Sequence, residues 1–321
     1  MRTKAVVFTG PNQIEIQDVG LREMTDEDVL VRTVWSSVSA GTEKMLLSGK
    51  LPTMQMTQFP VIPGYETVGK IIGRGDHVPE ELLGKYVYVS GSFGYVGVNA
   101  AFGGASHNLV SPAHKVTLLD SLENPMLGIL LPLASTALHI IDLAAVRNKR
   151  ILILGQGAVG LLVAEFARLF GASFIAATDL NAARLEKSAA HLRINLTETG
   201  SADVLMATPF DAVIDCTGSM NAIAESLRYL KMNAAVILGG YYEKIDLPYN
   251  MAFMKELRFL VAKQWAMGDL DRALDVMAKR EIGFEKIITH QKSVWTDIAH
   301  SYDAAFHDSS CLKLVLEWEA D

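Results

Sequence analysis

A glycine-rich turn between an apolar strand and a helix constrains this chain more than any other feature. Residues 151–154 are the apolar run Ile-Leu-Ile-Leu. The turn that follows is Gly155, Gln156, Gly157, Ala158, Val159 and Gly160. A second apolar run ends at Thr178, and Asp179 follows it, about twenty residues after the last glycine. Strand, turn, helix and spaced acid together predict a βαβ unit that binds a dinucleotide.

The three glycines have different expected tasks in such a turn. Gly155 allows the tight turn out of the strand, and Gly157 lets the backbone approach a pyrophosphate. Gly160 lets the helix pack closely on the sheet. The helix start supplies backbone N–H groups and a partial positive charge for phosphates.

Asp179 predicts which dinucleotide is bound. A carboxylate at the end of the second strand accepts hydrogen bonds from ribose hydroxyls and repels a 2′-phosphate, so NAD is favoured over NADP. Arg184 weakens this preference slightly, although its spacing places it on the following helix. The alternative is that the glycines form an ordinary loop and that Asp179 caps the helix near Asn181.

Two later strand ends are expected to line the same crevice, because ligands bind at the carboxyl ends of parallel strands. The candidates are Thr217 and Gly218 after one strand, and Gly239, Gly240 and Tyr241 after the next. For any one of these residues, an ordinary turn is about as good an interpretation.

Composition narrows the class of protein. The chain has 321 residues, half of them hydrophobic, which is enough for two cores. A net charge of −7 argues against nucleic acid as a partner. Two cysteines exclude a disulfide framework and a four-cysteine zinc site. We see no uninterrupted apolar run of membrane-spanning length and no signal peptide, so we expect a cytoplasmic protein without a membrane span.

The pattern of elements predicts an α/β protein with two domains. Residues 1–124 contain short alternating strands with Gly and Pro between them. Residues 125–265 alternate strands with helices, which predicts a doubly wound parallel sheet for NAD. Residues 266–321 are too short for a further domain and are expected to return to the first.

This order of domains resembles the medium-chain dehydrogenase/reductase superfamily over the whole chain. The segments Ser37–Met45 and Phe59–Ile71 carry the resemblance in the first domain. It implies a GroES-like β-rich catalytic domain beside a Rossmann domain, and an oxidoreductase. Zinc-dependent relatives carry three metal ligands where this chain has Ser39, Tyr65 and Leu131, which cannot replace Cys, His, Asp or Glu. We therefore expect no metal ligands and a zinc-free member.

Without zinc, the resemblance places candidate catalytic groups around the vacated metal positions. Tyr65 is expected to donate a hydrogen bond to the substrate oxygen, with Ser39 beside it. Thr42 lies where relatives keep a relay hydroxyl. Glu43 and Glu66 are possible bases, although a structural role for Glu66 is at least as good an interpretation. His139, on an apolar helix, is a further candidate that is more often a core residue.

Several short strings also resemble the (bacterio)chlorophyllide-oxidising dehydrogenases of this superfamily. They are GTEK, PGYE, FGGAS, ITH and the ending CLKLVLEW. The resemblance implies a tetrapyrrole substrate whose 3-(1-hydroxyethyl) group is oxidised to 3-acetyl. For such a broad, apolar ligand, Leu47–Phe59 and Phe93–Gly104 are expected to form the pocket walls, although ordinary loops packed on the barrel are an equally good interpretation of both segments. The alternatives are a zinc-free quinone or enone reductase and an inactive dinucleotide-binding protein. A homodimer is expected by analogy.

Overall fold

The computed structural model describes residues 1–51, 54–207 and 209–319. Pro52 and Thr53, inside the expected pocket wall Leu47–Phe59, lie outside the described residues, as do Thr208 and the last two residues of the expected range 266–321. The chain forms two compact units, residues 1–131 with 284–321 and residues 132–283.

The first unit is built from mostly antiparallel β-sheet. Its helices are α1 (Ala40–Leu47) and α8 (Ile298–His307), and single 3-10 turns include Gln55–Thr57 and Glu285–Ile287. Its strands, numbered in chain order, are β1 (Arg2–Gly10), β2 (Gln13–Leu21), β3 (Asp28–Ser37), β4 (Val61–Ile62), β5 (Thr67–Arg74), β6 (Tyr86–Val89), β7 (Tyr95–Val96), β8 (Asn99–Ala100), β9 (Asn108–Pro112), β10 (Val116–Leu118), β17 (Ile288–Ser293) and β18 (Lys313–Glu317).

Two sheets organise these strands. One has the order β7-β2-β1-β4-β8, and the other has the order β10-β6-β5-β3-β18-β17, with β9 pairing to β3. Strand β18 lies antiparallel to β3 and parallel to β17, so the end of the chain completes the second sheet. The core includes Phe8, Leu46, Tyr302 and Trp318, each at most 1 % exposed.

The second unit is a parallel sheet with helices between its strands. The strands are β11 (Arg150–Leu154), β12 (Phe174–Asp179), β13 (Leu192–Asn195), β14 (Phe210–Asp215), β15 (Leu230–Leu238) and β16 (Arg258–Val261). The helices are α2 (Leu131–Ala144), α3 (Ala158–Leu169), α4 (Ala182–Glu186), α5 (Met220–Ser226), α6 (Tyr249–Met254) and α7 (Asp269–Ala278).

The strand order in this sheet is β13-β12-β11-β14-β15-β16. This is the doubly wound Rossmann order, in which the strand sequence reverses beside β11 and ligands bind outside the carboxyl ends of the strands. The run 151–154 of β11 is at most 5 % exposed, because both faces of the sheet are covered. The predicted α/β fold, a β-rich domain with a Rossmann sheet, is confirmed.

The two units divide at slightly different residues from the ranges expected above. Helix α7 belongs to the second unit, whereas the sequence division placed residues 266–321 in the first. Residues 125–130 form a 3-10 segment of the first unit, and the α-helix begins only at Leu131.

The apolar segment Pro125–Ala144 is helical along its whole length. It has 20 helical residues, and its apolar window has a mean hydropathy of 1.8, so by length and composition alone it is able to cross a membrane. Within the fold, 72 % of that window is buried. It is therefore a core helix of the fold.

Candidate functional site

The glycine turn after β11 has the backbone that the fingerprint requires. Gly155 has a φ of +84°, a conformation that side chains with a Cβ adopt at a cost. A Cβ added to Gly160 would lie 2.0 Å from the Gly155 carbonyl oxygen. The turn therefore folds back on the start of α3 more closely than any other residue type allows.

Gly157 is the N-cap of α3 and leaves the approach to the helix end open. A Cβ built on it would meet no atom of the described residues within 4 Å. Ala158 and Val159 begin the helix, so their backbone N–H groups lack intrahelical acceptors. An anionic pyrophosphate fits this helix end, both sterically and electrostatically.

Asp179 ties the glycine turn to the end of β12. Its Oδ2 accepts a hydrogen bond from the Gln156 amide at 2.5 Å, and its Oδ1 accepts one from the Asn181 amide at 2.8 Å. The N-cap of α4 is Asn181, which accepts from the Arg184 amide, so capping is not the task of Asp179. A carboxylate that accepts two bonds keeps lone pairs for ribose hydroxyls.

Gln156 acts inside the turn. Its side chain is fully buried, and its Nε2 donates to the Gly155 carbonyl at 2.9 Å. Its backbone N–H donates to Asp179 and so helps to orient the carboxylate that is expected to bind the cofactor.

The later candidates lie at the carboxyl ends of β14 and β15, as the sequence indicates. Thr217 and Gly218 follow β14, and Gly239, Gly240 and the half-exposed Tyr241 follow β15. The loop after β14 is held by Asp215, which is buried and accepts hydrogen bonds from the amides of Thr217 and Gly218.

Three hydroxyl groups meet in the first unit. The hydroxyl of Tyr65 is hydrogen-bonded to that of Ser39 and lies 3.3 Å from the Thr42 Oγ1. Ser39 is the N-cap of α1, and Thr42 lies in its first turn, so the helix start presents both toward Tyr65. The Tyr65 ring packs edge-on against Phe102 at 5.0 Å, and its carbonyl accepts from the Tyr88 hydroxyl at 2.9 Å.

Tyr65 retains its proton in this setting. Burial raises the pKa of its phenol well above the usual value of about 10, and the charge of Glu66 raises it further. The phenol is therefore a hydrogen-bond donor and a link in a chain of hydroxyls, and a poor base.

Glu66 takes part in a buried ion pair. The Lys313 Nζ donates to Glu66 Oε2 at 2.7 Å, and the Ser37 hydroxyl donates to the same oxygen. Glu66 is 0 % exposed and Lys313 is 4 % exposed. Lys313 also donates to the Val38 carbonyl at 3.2 Å, next to Ser39. This geometry gives Glu66 a structural partner, which was the alternative interpretation of that residue.

Glu43 holds Ser39 in place from the opposite end of the first turn of α1. Its Oε1 accepts from the Ser39 amide at 2.9 Å, and its Oε2 accepts from the Tyr302 hydroxyl at 2.9 Å. Burial raises the pKa of Glu43 to about 7, and Glu66 adds to the rise. Glu43 therefore changes charge near neutral pH, as a general base requires.

Ser39, Thr42, Glu43, Tyr65, Glu66 and Lys313 are called the hydroxyl–carboxylate cluster below. Two other residues singled out in the sequence lie elsewhere. Leu131 is a fully buried core residue. His139 lies in the second unit, where its Nδ1 is 3.6 Å from Asp269 Oδ2 at the start of α7.

The donor set of the cluster does not fit a catalytic zinc ion. Within residues 1–51, 54–207 and 209–319, no group of three or more His, Cys, Asp or Glu is placed to hold a metal. The hydroxyls of Ser39 and Tyr65 bond to each other, and Glu66 is bonded to Lys313. Zinc in proteins takes sulfur, imidazole or carboxylate ligands.

A groove of about 430 Å³, called the apolar groove below, is lined by residues from both segments expected to form the pocket walls. Met54, Met56, Phe93 and Val98 supply apolar side chains, and Gln55 and Asn99 also line it. Ala100 also lines the groove, two residues before Phe102, whose ring contacts Tyr65. The groove and the hydroxyl–carboxylate cluster are therefore linked through a short stretch of chain in the same unit.

Sequence reasoning missed four side chains that shape these sites, namely Asp215, Tyr242, Tyr302 and Lys313. Asp215 has a local signal in the sequence, since an acid that ends a strand two residues before Thr-Gly is typical of a carboxylate-capped turn. Lys313 and Tyr302 left none, because their partners are 247 and 259 residues away in the chain.

Comparisons with known proteins agree with this architecture. Residues 158–279 match the family model described as zinc-binding dehydrogenase, which covers none of Ser39, Tyr65 and Leu131. A zinc-binding dehydrogenase from Sinorhizobium meliloti 1021 bound to NADP has a TM-score of 0.84 at 22 % identity, over 99 % of this chain and 100 % of that one. A short chain alcohol dehydrogenase from E. coli CFT073 complexed with NADH has a TM-score of 0.86 at 20 % identity, over 99 % of both chains.

The chain therefore resembles the medium-chain dehydrogenases, and the residues that match the family model lie within the Rossmann unit described above. It is also similar to the 2-desacetyl-2-hydroxyethyl bacteriochlorophyllide A dehydrogenase of Cereibacter sphaeroides. The two are 29 % identical, over 100 % of this chain and 99 % of that protein.

Proposed function

We propose that this protein oxidises the 3-(1-hydroxyethyl) side chain of a (bacterio)chlorophyllide to 3-acetyl, with NAD⁺ as hydride acceptor and without catalytic zinc. The observation that carries the proposal is the similarity along the whole chain to a bacteriochlorophyllide dehydrogenase. The Tyr65–Ser39 hydroxyl pair and the apolar groove in the same unit support it.

NAD is the proposed cofactor. When bound at the glycine turn, it supplies the carbon that accepts the hydride. Gly157 and the start of α3 are suited to its pyrophosphate, and Asp179 to its adenine ribose. A structural neighbour binds NADP, but the Asp179 carboxylate would repel a 2′-phosphate.

Tyr65 and Ser39 would handle the substrate hydroxyl. Loss of a hydride from the carbinol carbon requires loss of the hydroxyl proton, and charge develops on the oxygen as the carbonyl forms. Buried donors aimed at that oxygen stabilise the charge better than water does. Tyr65 keeps its proton and is held by Ser39 and Thr42, so it is the proposed donor.

Glu43 is the proposed final acceptor of the proton. Its Oε1 binds the Ser39 amide, which places the carboxylate beside the residue whose hydroxyl bonds to Tyr65. Its pKa of about 7 matches the task. Glu66 is less suited, since Lys313 occupies one of its oxygens and compensates its charge.

The groove between Gln55–Thr57 and Phe93–Ala100 would take the macrocycle. Its methionine and phenylalanine side chains suit a flat apolar ligand, because methionine adapts its shape and makes favourable contacts with aromatic rings. A hydroxyethyl group on a conjugated ring also gives a conjugated carbonyl, which lowers the stabilisation that the protein must supply.

We also propose a cytoplasmic homodimer. Strand β16 is an edge of the Rossmann sheet, and Val261 on it and Phe253 and Met254 on α6 are more than 60 % exposed. An exposed apolar edge strand is a template for pairing with a second copy. Analytical ultracentrifugation should show a dimer of the wild type, and Val261→Lys should weaken its association. A wild type that is monomeric at all concentrations would exclude the proposed dimer.

The function is tested with a panel of substrates. With NAD⁺ and a 3-hydroxyethyl (bacterio)chlorophyllide, we expect the absorption shift of the acetyl product and matching formation of NADH. Reduction of quinones or enones with NADPH, without chlorin oxidation, would favour a reductase instead. Binding of NAD⁺ without turnover of any alcohol would identify an inactive dinucleotide-binding protein.

A further inference from the structure

Two loops meet at the carboxyl ends of β14 and β15, residues 216–219 and 239–242. Their backbones touch: a Cβ added to Gly240 would lie 2.6 Å from the Gly218 Cα. A Cβ on Gly239 would lie 2.7 Å from the Asp215 carbonyl oxygen. Such contact leaves each loop little freedom to move without the other, so a group that fixes one loop also fixes its neighbour.

Asp215 is the group that fixes the first loop. It is the last residue of β14 and is 0 % exposed. Its Oδ1 accepts from the Thr217 amide at 3.2 Å and from the Thr217 hydroxyl at 2.5 Å. Its Oδ2 accepts from the Gly218 amide at 2.9 Å. A buried carboxylate is stable only while such donors surround it, so the loop is tied to this conformation.

Tyr242 connects Asp215 to the second loop. Its hydroxyl donates to Asp215 Oδ2 and accepts from the Gly240 amide at 3.3 Å. Burial raises the pKa of this phenol well above its usual value, and the bond to Asp215 raises it further. The hydroxyl therefore keeps its proton, and remains able to donate to Asp215, throughout the pH range in which enzymes work.

We propose that Asp215 and Tyr242 are positioning residues that hold the two glycine loops in the shape that binds the nicotinamide half of the dinucleotide. This rests on the proposed use of NAD. In the Rossmann arrangement, the carboxyl ends of the strands beyond the reversal point face that half of the cofactor. Loops that are already ordered in the free protein do not lose entropy when the dinucleotide binds. Asp215 and Tyr242 would therefore raise the affinity for the dinucleotide without touching it.

The alternative, a purely structural role, makes a different prediction. A structural hydrogen bond lowers the stability of the second unit and leaves the affinity for the dinucleotide unchanged. A positioning bond lowers that affinity, loosens the amides of Gly218 and Gly240 in particular, and leaves the KM for the alcohol substrate unchanged. The two roles are therefore separable in the full-length protein.

The test compares Tyr242→Phe with Tyr249→Phe, which removes the hydroxyl of a tyrosine that is 72 % exposed. We expect Tyr242→Phe to raise the NAD⁺ dissociation constant, measured by calorimetry, about fivefold to tenfold. Hydrogen exchange at Gly218 and Gly240 should accelerate in the cofactor-free protein, and Tyr249→Phe should match wild type in both measurements.

Three results decide the matter. Wild-type affinity in Tyr242→Phe, with the wild type binding NAD⁺ normally, would overturn this inference and leave the proposed function intact. Failure of the wild type to bind NAD⁺ or NADH would instead overturn the proposed function. Asp215→Asn keeps the shape of the side chain and supplies a second variant: weaker NAD⁺ binding at an unchanged midpoint of unfolding supports positioning, and unchanged binding contradicts it.

Discussion

The hydroxyl of Tyr65 is hydrogen-bonded to the hydroxyl of Ser39, and both residues stand where zinc-dependent relatives are expected to have metal ligands. The pair is supported on one side by Thr42 and on the other by Glu43, which binds the Ser39 amide. A metal would stabilise a developing alkoxide by its charge, whereas this pair offers a fixed donor.

Removal of the Tyr65 hydroxyl should affect turnover and spare the cofactor. Tyr65→Phe keeps the ring against Phe102 and removes the donor. Loss of one such donor costs about 100-fold or more in kcat. We expect that loss in steady-state kinetics with an unchanged NAD⁺ dissociation constant. The control is Tyr86→Phe, which also removes one tyrosine hydroxyl and keeps a ring that stacks on Trp35. A Tyr65→Phe enzyme that turns over normally would remove Tyr65 from the mechanism.

Glu43 should give the reaction a pH dependence near neutrality. Because its pKa is raised to about 7, alcohol oxidation should accelerate as the pH rises through that value and the carboxylate ionises. A profile of kcat/KM against pH for wild type and Glu43→Gln checks this, and the variant should lose that step. An identical profile in both proteins would show that another group titrates.

Ionisation of Glu43 should lower the stability of the fold, although it raises the activity. The native state holds the proton of Glu43 more tightly than the unfolded chain does, so the stabilisation is complete below about pH 4 and is lost as the pH rises through about 7. The free energy of unfolding of the wild type, measured with urea, should therefore fall between about pH 4 and pH 7 relative to that of Glu43→Gln.

Lys313 should matter for stability more than any exposed lysine. Lys313→Met would leave Glu66 buried without its cation, at a cost of about 3–5 kcal/mol in the free energy of unfolding. Adding Glu66→Gln should recover part of that loss. Lys85→Met, which breaks an exposed pair with Asp120, is the matched control and should cost about 1 kcal/mol or less. Equal urea midpoints for the two lysine variants would contradict the ion-pair account.

Asp179 should set the choice of dinucleotide. Asp179→Asn removes the charge and keeps the shape, so NAD⁺ should bind about tenfold more weakly and its advantage over NADP⁺ should narrow. Glu186→Gln, an exposed acid on the neighbouring α4, is the control. Dissociation constants for both dinucleotides measure the effect. A preserved preference in Asp179→Asn would mean that the carboxylate serves only the turn.

The apolar groove should determine affinity for the macrocycle. Phe93→Glu places a charge on a wall that is apolar in the wild type, and we expect the KM for the tetrapyrrole to rise about tenfold while NAD⁺ binding stays unchanged. Met267→Glu, at a fully exposed position of the second unit, is the control. If both variants bind the tetrapyrrole equally well, the macrocycle lies elsewhere.

The Rossmann sheet is predictable from the sequence because its central strands β11, β12 and β14 contain continuous apolar runs that are buried on both faces. Less regular elements are not. Strand β17 has the polar sequence ITHQKS, and α8 (IAHSYDAAFH) mixes polar with apolar residues, although both complete the first unit. Helix α4 ends at Glu186, and the Ser188 hydroxyl then accepts from the Ala190 amide in the turn that follows.

The candidate site was predicted in part. Its local members, Ser39, Thr42, Glu43 and Tyr65, were named from two short segments, and the geometry brings them together. The opposite end of the chain supplies Tyr302 and Lys313, and only the folded sheet, with β18 beside β3, brings these partners to the same place.

The account is tested most directly by one reaction on protein of known metal content. Purified protein is mixed with NAD⁺ and a 3-(1-hydroxyethyl) bacteriochlorophyllide, and acetyl product, NADH and bound zinc are quantified together. We predict acetyl product and NADH in equal amounts from protein that holds far less than one zinc per chain. Oxidation that appears only after one zinc per chain is restored would contradict the hydroxyl-based mechanism. The absence of acetyl product under either condition would contradict the proposed function itself.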